Sequence, residues 1–466
     1  MDKIIGSLKQ ALQQCGIRDG MTLSFHHHLR NGDHVINMTV DALRELHIHD
    51  LTINSSSLFD VHEPLIEAFS SGIITTVESD YIGGSVGRAI SEGKLKNRAV
   101  FRSHGGRPSD IDSGRSHIDI AVIAAPTSDP AGNCSGKYGK SACGSLGYAI
   151  PDAMNADKVI VVTDNLVDYP LADFSISETQ VDYVVVVDSI GDPAGIVSST
   201  TKITRDPAGL VIARTAAQII RHSGLLKDGF SFQTGAGGAS LATAMYLKEI
   251  MLKEKIRGSF CMGGITGYLV DMLNEGCFET LMDVQCFDLK AVESIRTNPC
   301  HREVSASQYA SPTAKSCIVD KLDVVILGAT EIDTDFNVNV HTDSHGVIMG
   351  GSGGHSDAAA GSKISIIVAP LNRARLPVIV DKVNCISTPG STVDILVTQR
   401  GIAVNPLRQD LRDRLQDAGL RVYDIHELKA IAESFAGTPH PFEKKERIVA
   451  DILYRDGSLL DTIHAV

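Results

Sequence analysis

LDVVILGATEIDTDFNVNVHTDSHGVIMGGSGGHSDAAAG, residues Leu322 to Gly361, decides how the rest of the chain is read. It opens on a run with the character of a buried strand, Val324 to Leu327, and passes through an acidic turn. It closes on a glycine loop, Gly350 to Gly354, followed by His355, Ser356, Asp357 and small residues. A strand that ends in glycines and leads into small helix formers offers free backbone N–H groups to an anion. Gly351, Gly353, Gly354, His355 and Asp357 are therefore candidates for holding an acyl thioester or a phosphate, although the same pattern also makes ordinary turns.

Working outward, this stretch is a second copy of an earlier one. IDIAVIAAPTSDPAGN, ending at Asn133, is echoed by LDVVILGATEIDTDFN, ending at Asn337. Asp19-Gly20-Met21-Thr22 is echoed in the same order by Asp228-Gly229-Phe230-Ser231, and CGSLGYAIPDA loosely by GGSGGHSDAAA. The offsets are similar and far too long for a solenoid, so the chain reads as two copies of one unit, 1–221 and 222–466. Within each copy, continuous β-branched runs (Ile118 to Ala125, Val159 to Thr163, Val184 to Val187) alternate with helical segments. Strands buried on both faces and spaced by helices indicate a parallel α/β sheet. Two like units favour ligand binding where they meet.

The 466 residues, 43% hydrophobic, are ample for large cores. A formal net charge of -13 without clustered Lys and Arg argues against nucleic acid as a partner. Nine cysteines, an odd number, read as reduced thiols of a cytoplasmic protein. The pairs Cys134/Cys143 and Cys277/Cys286 lack CxxC spacing, and no metal site is expected. Ile4, Ile5, Leu8, Ala11, Leu12 and Cys15 fall on one helical face, and no apolar run approaches the ~20 residues that span a bilayer.

Four further stretches could carry chemistry. In QTGAGGAS, Gln233 to Ser240, a strand leads into a helix, so Gly235, Gly237 and Gly238 can bring backbone to a phosphate or carboxylate. As a dinucleotide fingerprint it fails, because Ser240 stands where a third glycine is needed. His26, His27 and His28 with Arg30 occupy the equivalent turn of the first copy. Alternate side chains of a strand point opposite ways, so three consecutive histidines cannot share one metal, and carboxylate binding by a histidine plus Arg30 fits better. In SHGGRPSD, His104 and Arg107 flank Gly105 and Gly106, an arrangement suited to a small polycarboxylate. SASQYASPTAK, Ser305 to Lys315, suits a substrate-facing loop or a connector equally. No P-loop is present, which removes most ATP-driven ligation.

FHHHLRNGD, SHGGR, CGSLGYAI, DGFSFQTGAGGASLA, FCMGGIT, LDVVILGATEIDTDFNVNV, SGGHSDAAAGSKISIIVAPL, TPGSTVDILVTQRGIAVNP and YRDGSLLD together resemble the citrate lyase alpha-subunit family, through nearly the whole chain. More distantly, both halves resemble CoA-transferase domains. The resemblance implies two NagB/RpiA-like open-sheet α/β domains in tandem, related by a pseudo-dyad. It implies a citrate CoA-transferase component of citrate (pro-3S)-lyase, which exchanges acetate for citrate on a thioester. Acetyl-CoA or an acetyl-acyl-carrier-protein is the implied co-substrate, and no cofactor is bound by this subunit. Citrate, the acyl carrier protein (gamma) subunit and a citryl lyase (beta) subunit are the implied partners, in an oligomeric complex.

Distant CoA-transferases use a glutamate nucleophile where Met262 of FCMGGIT stands by alignment, and a thioether cannot form an acyl-enzyme anhydride. The resemblance therefore implies direct attack by citrate, with backbone donors at Gly263-Gly264 or Gly235 to Gly238 stabilising the oxyanion. Under it, His26, His27, His28, Arg30, His104, Gly105, Gly106 and Arg107 are expected at the acid substrate. Gly235, Gly237, Gly238, Gly351, Gly353, Gly354, His355 and Asp357 are expected at the CoA or carrier. Glu331 is the alternative nucleophile. The competing readings are an acyl-CoA hydrolase or transferase for another acid, and a non-enzymatic metabolite sensor; for the last, neither terminus shows a basic helix-turn-helix.

Overall fold

The computed structural model describes residues 2–197, 202–439 and 442–466. Two large sheets carry the fold. In spatial order the first contains Ile4–Ile5, Tyr183–Val186, Lys158–Thr163, Ile120–Ala124, Thr22–Phe25, Leu51–Ser55, Ile74–Ser79, Ala99–Phe101, Ile448–Leu453 and Leu459–His464. The second runs His301–Glu303, Phe278–Cys286, Gly258–Ile265, Ser231–Thr234, Val324–Gly328, Ile364–Val368, Ile395–Thr398, Gly401–Val404 and Val422–Tyr423. Pairing is parallel except for one antiparallel pair in each sheet, 448–453 with 459–464 and 395–398 with 401–404. The protein is thus a mixed α/β fold built on parallel sheets, whose continuous apolar runs are buried along their length, as in Ile120–Ala124 and Ile364–Val368.

Seven strands of each copy follow one order. Counted along the chain within a copy, the sheet reads 7-6-5-1-2-3-4 both times. The echoed sequences fold alike in detail. Asp129 Oδ1 accepts from the backbone N–H groups of Ala131, Gly132 and Asn133, and Asn133 Nδ2 returns to Asp129 Oδ2 at 2.9 Å. Asp333 Oδ1 likewise accepts from Asp335 and Asn337, and Asn337 Nδ2 returns to Asp333 Oδ2 at 3.1 Å. Asp119 and Asp323, at the mouths of equivalent strands, accept from Thr22 N and Ser231 N at 2.7 and 2.9 Å.

The helix Pro207–His222 joins the copies. Asp206 caps it by accepting from Gly209 N, proline stands in its first turn, and Ile212, Ala216, Ile219 and Ile220 form its buried face against the helix Gly238–Glu254. One crossing complicates a division at 221/222: the final hairpin returns to the first sheet, where Ala450, Asp451 and Ile452 pair with Ala99, Val100 and Phe101. Among the described residues no helix is long and apolar enough to cross a membrane. In each sheet the winding direction reverses between strands 1 and 5, the place where open α/β sheets bind ligands beyond the strands' carboxyl ends.

Candidate active site

The carboxyl ends of the two sheets meet. Gln285, at the end of Phe278–Cys286, donates from Nε2 to the carbonyl of His27 at 2.9 Å, just past the end of Thr22–Phe25. Ser103 Oγ and the Gly105 N–H, after Ala99–Phe101, both donate to the Asp357 carboxylate of the other copy at 2.8 Å. The backbones of His104 and Gly353 pair directly, and Gly353 N donates to the carbonyl of Asp80.

Arg30, His27 and His104 come together at this junction. The ring centroids of His27 and His104 are 5.7 Å apart, and Tyr148 lies 4.8 Å from His27 and 4.5 Å from His104. Phe59 stands 6.0 Å from His27 and carries the Arg30 guanidinium 5.4 Å above its ring. Phe287, from the second copy, meets the same guanidinium at 5.0 Å. Arg30 has φ 53, a left-handed conformation uncommon for a residue with a Cβ. Its loop is held there by backbone bonds from Asp192 N to Gly32 O and from His34 N to Ile190 O. Nη1 of Arg30 is buried without a hydrogen-bond partner, and no carboxylate pairs with the guanidinium among the described residues. Burial holds its pKa below the usual arginine value, against the pull of Tyr81 and Tyr148. A buried cation with an unused donor, pressed between two aromatic faces, has the chemistry to hold an anion.

The two histidines beside it are oriented. His104 Nδ1 pairs with Asp80 Oδ2 at 2.8 Å, which leaves Nε2 toward the junction. Burial raises the Asp80 pKa, opposed by His104 itself. His27 Nδ1 meets Ser56 Oγ at 2.6 Å. Burial, then the neighbouring His104 and His28, keep the His27 pKa well below the ordinary value, so it works as a neutral hydrogen-bonding group. Tyr148 is 3% exposed and its phenol is held far above its usual pKa by burial, so it stays a donor.

Other expected substrate residues are placed elsewhere. His26 and His28 bond each other, Nδ1 to Nδ1 at 2.5 Å, and the His28 ring also stacks on His27 with centroids 6.1 Å apart. His26 Nε2 also accepts from Ala124 N, and burial lowers its pKa to about 4. Burial also drives the His28 pKa well down. Arg107 is 1% exposed with its fork fully engaged: Nη1 and Nη2 donate to Asp152 at 2.8 Å each, and Nε donates to Asn54 Oδ1 at 2.6 Å. Burial pulls its pKa down, but Asp152 more than offsets this and the net direction is up. It has no free edge for a substrate carboxylate. Gly105 and Gly106 are packed in protein, Gly105 against the backbone of Ala310 and the carboxylate of Asp357.

The glycines of the opening stretch are likewise filled. Side chains at Gly351 and Gly354 would overlap the Asp80 carbonyl of the first copy and the Tyr309 hydroxyl of the second, so these positions let protein approach rather than leaving space for a carrier. His355 is buried between Thr388 Oγ1 at 2.7 Å and the carbonyl of Gly328 at 2.8 Å, with its pKa lowered to about 4 by burial. Asp357 is 0% exposed and used by the interface, its pKa raised by burial to about 6 despite Arg455 and the two donors. Gly235 and Gly237 differ: Gly235 N donates to the Ile326 carbonyl at 2.9 Å, and among the described residues a side chain at either position would meet nothing nearer than 3.5 Å. Gly238 is tied to Thr204 N.

Gly263 adopts φ 99, and the pairing register of Gly258–Ile265 with its neighbour shifts between Gly263 and Gly264. That bulge sets Gly263 against Gln233, whose Oε1 is buried without a partner, and Gly264 against the Phe287 ring that meets Arg30. Glu331 is 5% exposed, and its Oε2 accepts from Asn339 Nδ2 at 3.1 Å and Asn384 N at 3.4 Å. Among the described residues, Asp283, Cys286 and His301 bring potential metal-ligand atoms within 4.8 Å of one another. The thiol and the His301 Nε2 both lie within hydrogen-bond distance of Asp283 Oδ2, at 3.0 and 2.9 Å.

The model of the family described as citrate lyase, alpha subunit, matches residues 1–466. The chain belongs to the citrate lyase alpha-subunit family. It is 49% identical over 464 residues to the citrate lyase alpha chain of Klebsiella pneumoniae, spanning 100% of this chain and 91% of that one. It is 48% identical to the alpha chain of Escherichia coli strain K12, with the same coverage. A Streptococcus mutans citrate lyase alpha subunit solved in complex with citrate superposes with a TM-score of 0.98 at 47% identity, covering 100% of this chain and 92% of that one. A Pseudomonas malonate decarboxylase hetero-tetramer shares the fold with a TM-score of 0.70 at 17% identity, covering 94% of this chain and 84% of that one. Within the family frame, Tyr148, Phe59, Asp80, Gln285 and Phe287 are the cluster members that motif reading did not single out. Only Tyr148 lay inside a quoted motif, and no spacing rule links the other four to Arg30.

Proposed function

We propose that this citrate lyase alpha subunit moves the thioester from acetate to citrate, taking acetyl-CoA or an acetyl-acyl-carrier-protein and releasing acetate. The observation that carries this reading is Arg30, an unpaired cation between Phe59 and Phe287 with His27 and His104 alongside. The Streptococcus mutans relative solved with citrate supports citrate as the acid. The two units are taken as CoA-transferase-type domains about a pseudo-dyad, a view supported by their common strand order.

In the proposed chemistry a citrate carboxylate oxygen, oriented by Arg30, attacks the thioester carbonyl. The carbonyl oxygen becomes an oxyanion beside the Gly263–Gly264 bulge, and the carbon–sulfur bond breaks to give thiolate and a mixed acetyl–citryl anhydride. The thiolate then attacks the citryl carbonyl and acetate leaves. Protons balance at each step and no nucleotide is consumed, since one carboxylic thioester replaces another. Positioning and preorganised donors supply the rate. An acyl carrier protein and a citryl-cleaving subunit are the partners this product requires.

The test incubates the purified folded chain with acetyl-CoA and citrate without ATP and follows citryl-CoA by mass spectrometry. Citryl-CoA and stoichiometric acetate are expected. CoA release without an acceptor acid would instead identify a hydrolase, and absence of citryl-CoA would overturn the reading.

A further inference from the structure

A cavity of about 530 Å³ lies beside the strand Glu331–Asp333. One wall is apolar, formed by Leu376, Pro377, Val380 and Phe442. The other presents Glu331 and Asn384. Glu331 Oε2 is engaged by Asn339 and Asn384, whereas no partner for Oε1 occurs among the described residues. The size is within the ~300–1,000 Å³ typical of small-molecule sites.

The charges exclude the acid substrate. Glu331, Asp381 and Glu443 line the cavity against Lys382, and among the described residues only Asp381 is paired with an opposite charge, Lys429 at 3.1 Å. A citrate trianion or a diphosphate would be repelled there. An uncharged chain with N–H donors and apolar stretches matches both walls, because a half-used carboxylate accepts amide hydrogens well. Ala329 and Thr330 join this wall directly to the carboxyl end of Val324–Gly328, where a side chain at Gly328 would meet no described atom within 4 Å and Gly235 bonds the Ile326 carbonyl. We propose that the cavity takes the pantetheine arm shared by CoA and an acyl carrier protein, with Glu331 as the acceptor for an amide N–H. This rests on the transferase reading for its biological meaning, and it gives Glu331 a binding role in place of a covalent one.

Binding is tested apart from turnover by titrating S-methylpantetheine, which cannot exchange acyl groups, into the full chain by calorimetry. Saturable millimolar or tighter binding, unaffected by citrate, is expected. Glu331→Gln should weaken it by about tenfold, the scale of one hydrogen bond to a charged group. Phe442→Ala at the cavity wall should weaken it while leaving the Asn339 and Asn384 contacts untouched, which guards against a folding defect in the first variant. In turnover, both should raise KM for acetyl-CoA and leave KM for citrate unchanged. Binding without any citryl-CoA formation would sink the transferase reading but not this site. No binding, binding displaced by citrate, or binding indifferent to both variants would overturn the site.

Discussion

Replacing Arg30 with methionine separates a binding cation from a structural one. In the free protein the guanidinium is buried, its Nη1 has no acceptor, and two phenyl rings are its main company. An unsatisfied buried polar group costs about 1–3 kcal/mol, while each cation–π contact returns about 0.5–1 kcal/mol. Methionine has a similar length and packs well on aromatic rings, so Arg30→Met should leave the free protein as stable as before or up to about 2 kcal/mol more stable. With the acid bound the balance inverts. A charge-assisted hydrogen bond is worth about 1.5–3 kcal/mol, so losing a two-pronged grip should lower kcat/KM for citrate by about a hundredfold. Stabilisation by citrate follows RT ln(1 + [L]/Kd), about 2.7 kcal/mol at a hundredfold excess over Kd, and should vanish in the variant. Urea unfolding with and without citrate, together with KM for each substrate, reads all three effects. A variant destabilised by more than about 2 kcal/mol with an unchanged KM for citrate would refute the reasoning, because Arg30 would then be a packing residue.

Gly264→Ala would drive a methyl group into the Phe287 ring; the expected result is a loss of about 1–3 kcal/mol of stability and a KM rise for citrate larger than that for acetyl-CoA, with Phe287→Leu added to restore both. If stability falls but the KM for citrate does not move, the Phe287–Arg30 contact is not part of the acid site. For Asp357, the folded pKa of about 6 lies above the ordinary aspartate value, so over the interval between them the native state holds a proton that the unfolded chain has released. The stability it contributes is present near pH 4 and is lost as pH rises toward 6. The difference in unfolding free energy between wild type and Asp357→Asn should therefore shrink across that window, and a difference independent of pH would count against it.

The sheets were legible because burial on both faces leaves no alternation to misread: Ile120–Ala124 and Val324–Gly328 are strands for the reason their composition suggests. The repeat was legible because Asp129 and Asp333 build the same turn and keep its residues in register. Strand alternation did not sort the histidines, because the strand ends at Phe25 and in the turn beyond it His28 both bonds His26 and stacks on His27. Arg107 was not legible. Its neighbours in sequence suggested a substrate grip, whereas its partner Asp152 stands 45 residues away and satisfies it completely. The glycines from Gly350 to Gly354 misled for a related reason: a residue without a side chain permits close approach, and a sequence does not say whether a ligand or another strand approaches.

The contrast between Arg107 and Arg30 explains how a protein of net charge -13 can receive a polyanion. At a distance the chain repels citrate, so attraction has to be local, and a paired arginine offers little of it. Asp152 neutralises Arg107, whereas among the described residues Arg30 pairs with no carboxylate and sits between Phe59 and Phe287, one from each copy. Asp80, the carboxylate at this cluster, is committed to His104. Such a cation exists only while both sheets are held together. The glycines at 105 and 351, the Asp357 clamp and the hairpin that pairs Ala450–Ile452 with Ala99–Phe101 are thus requirements of the proposed binding site as well as of the fold.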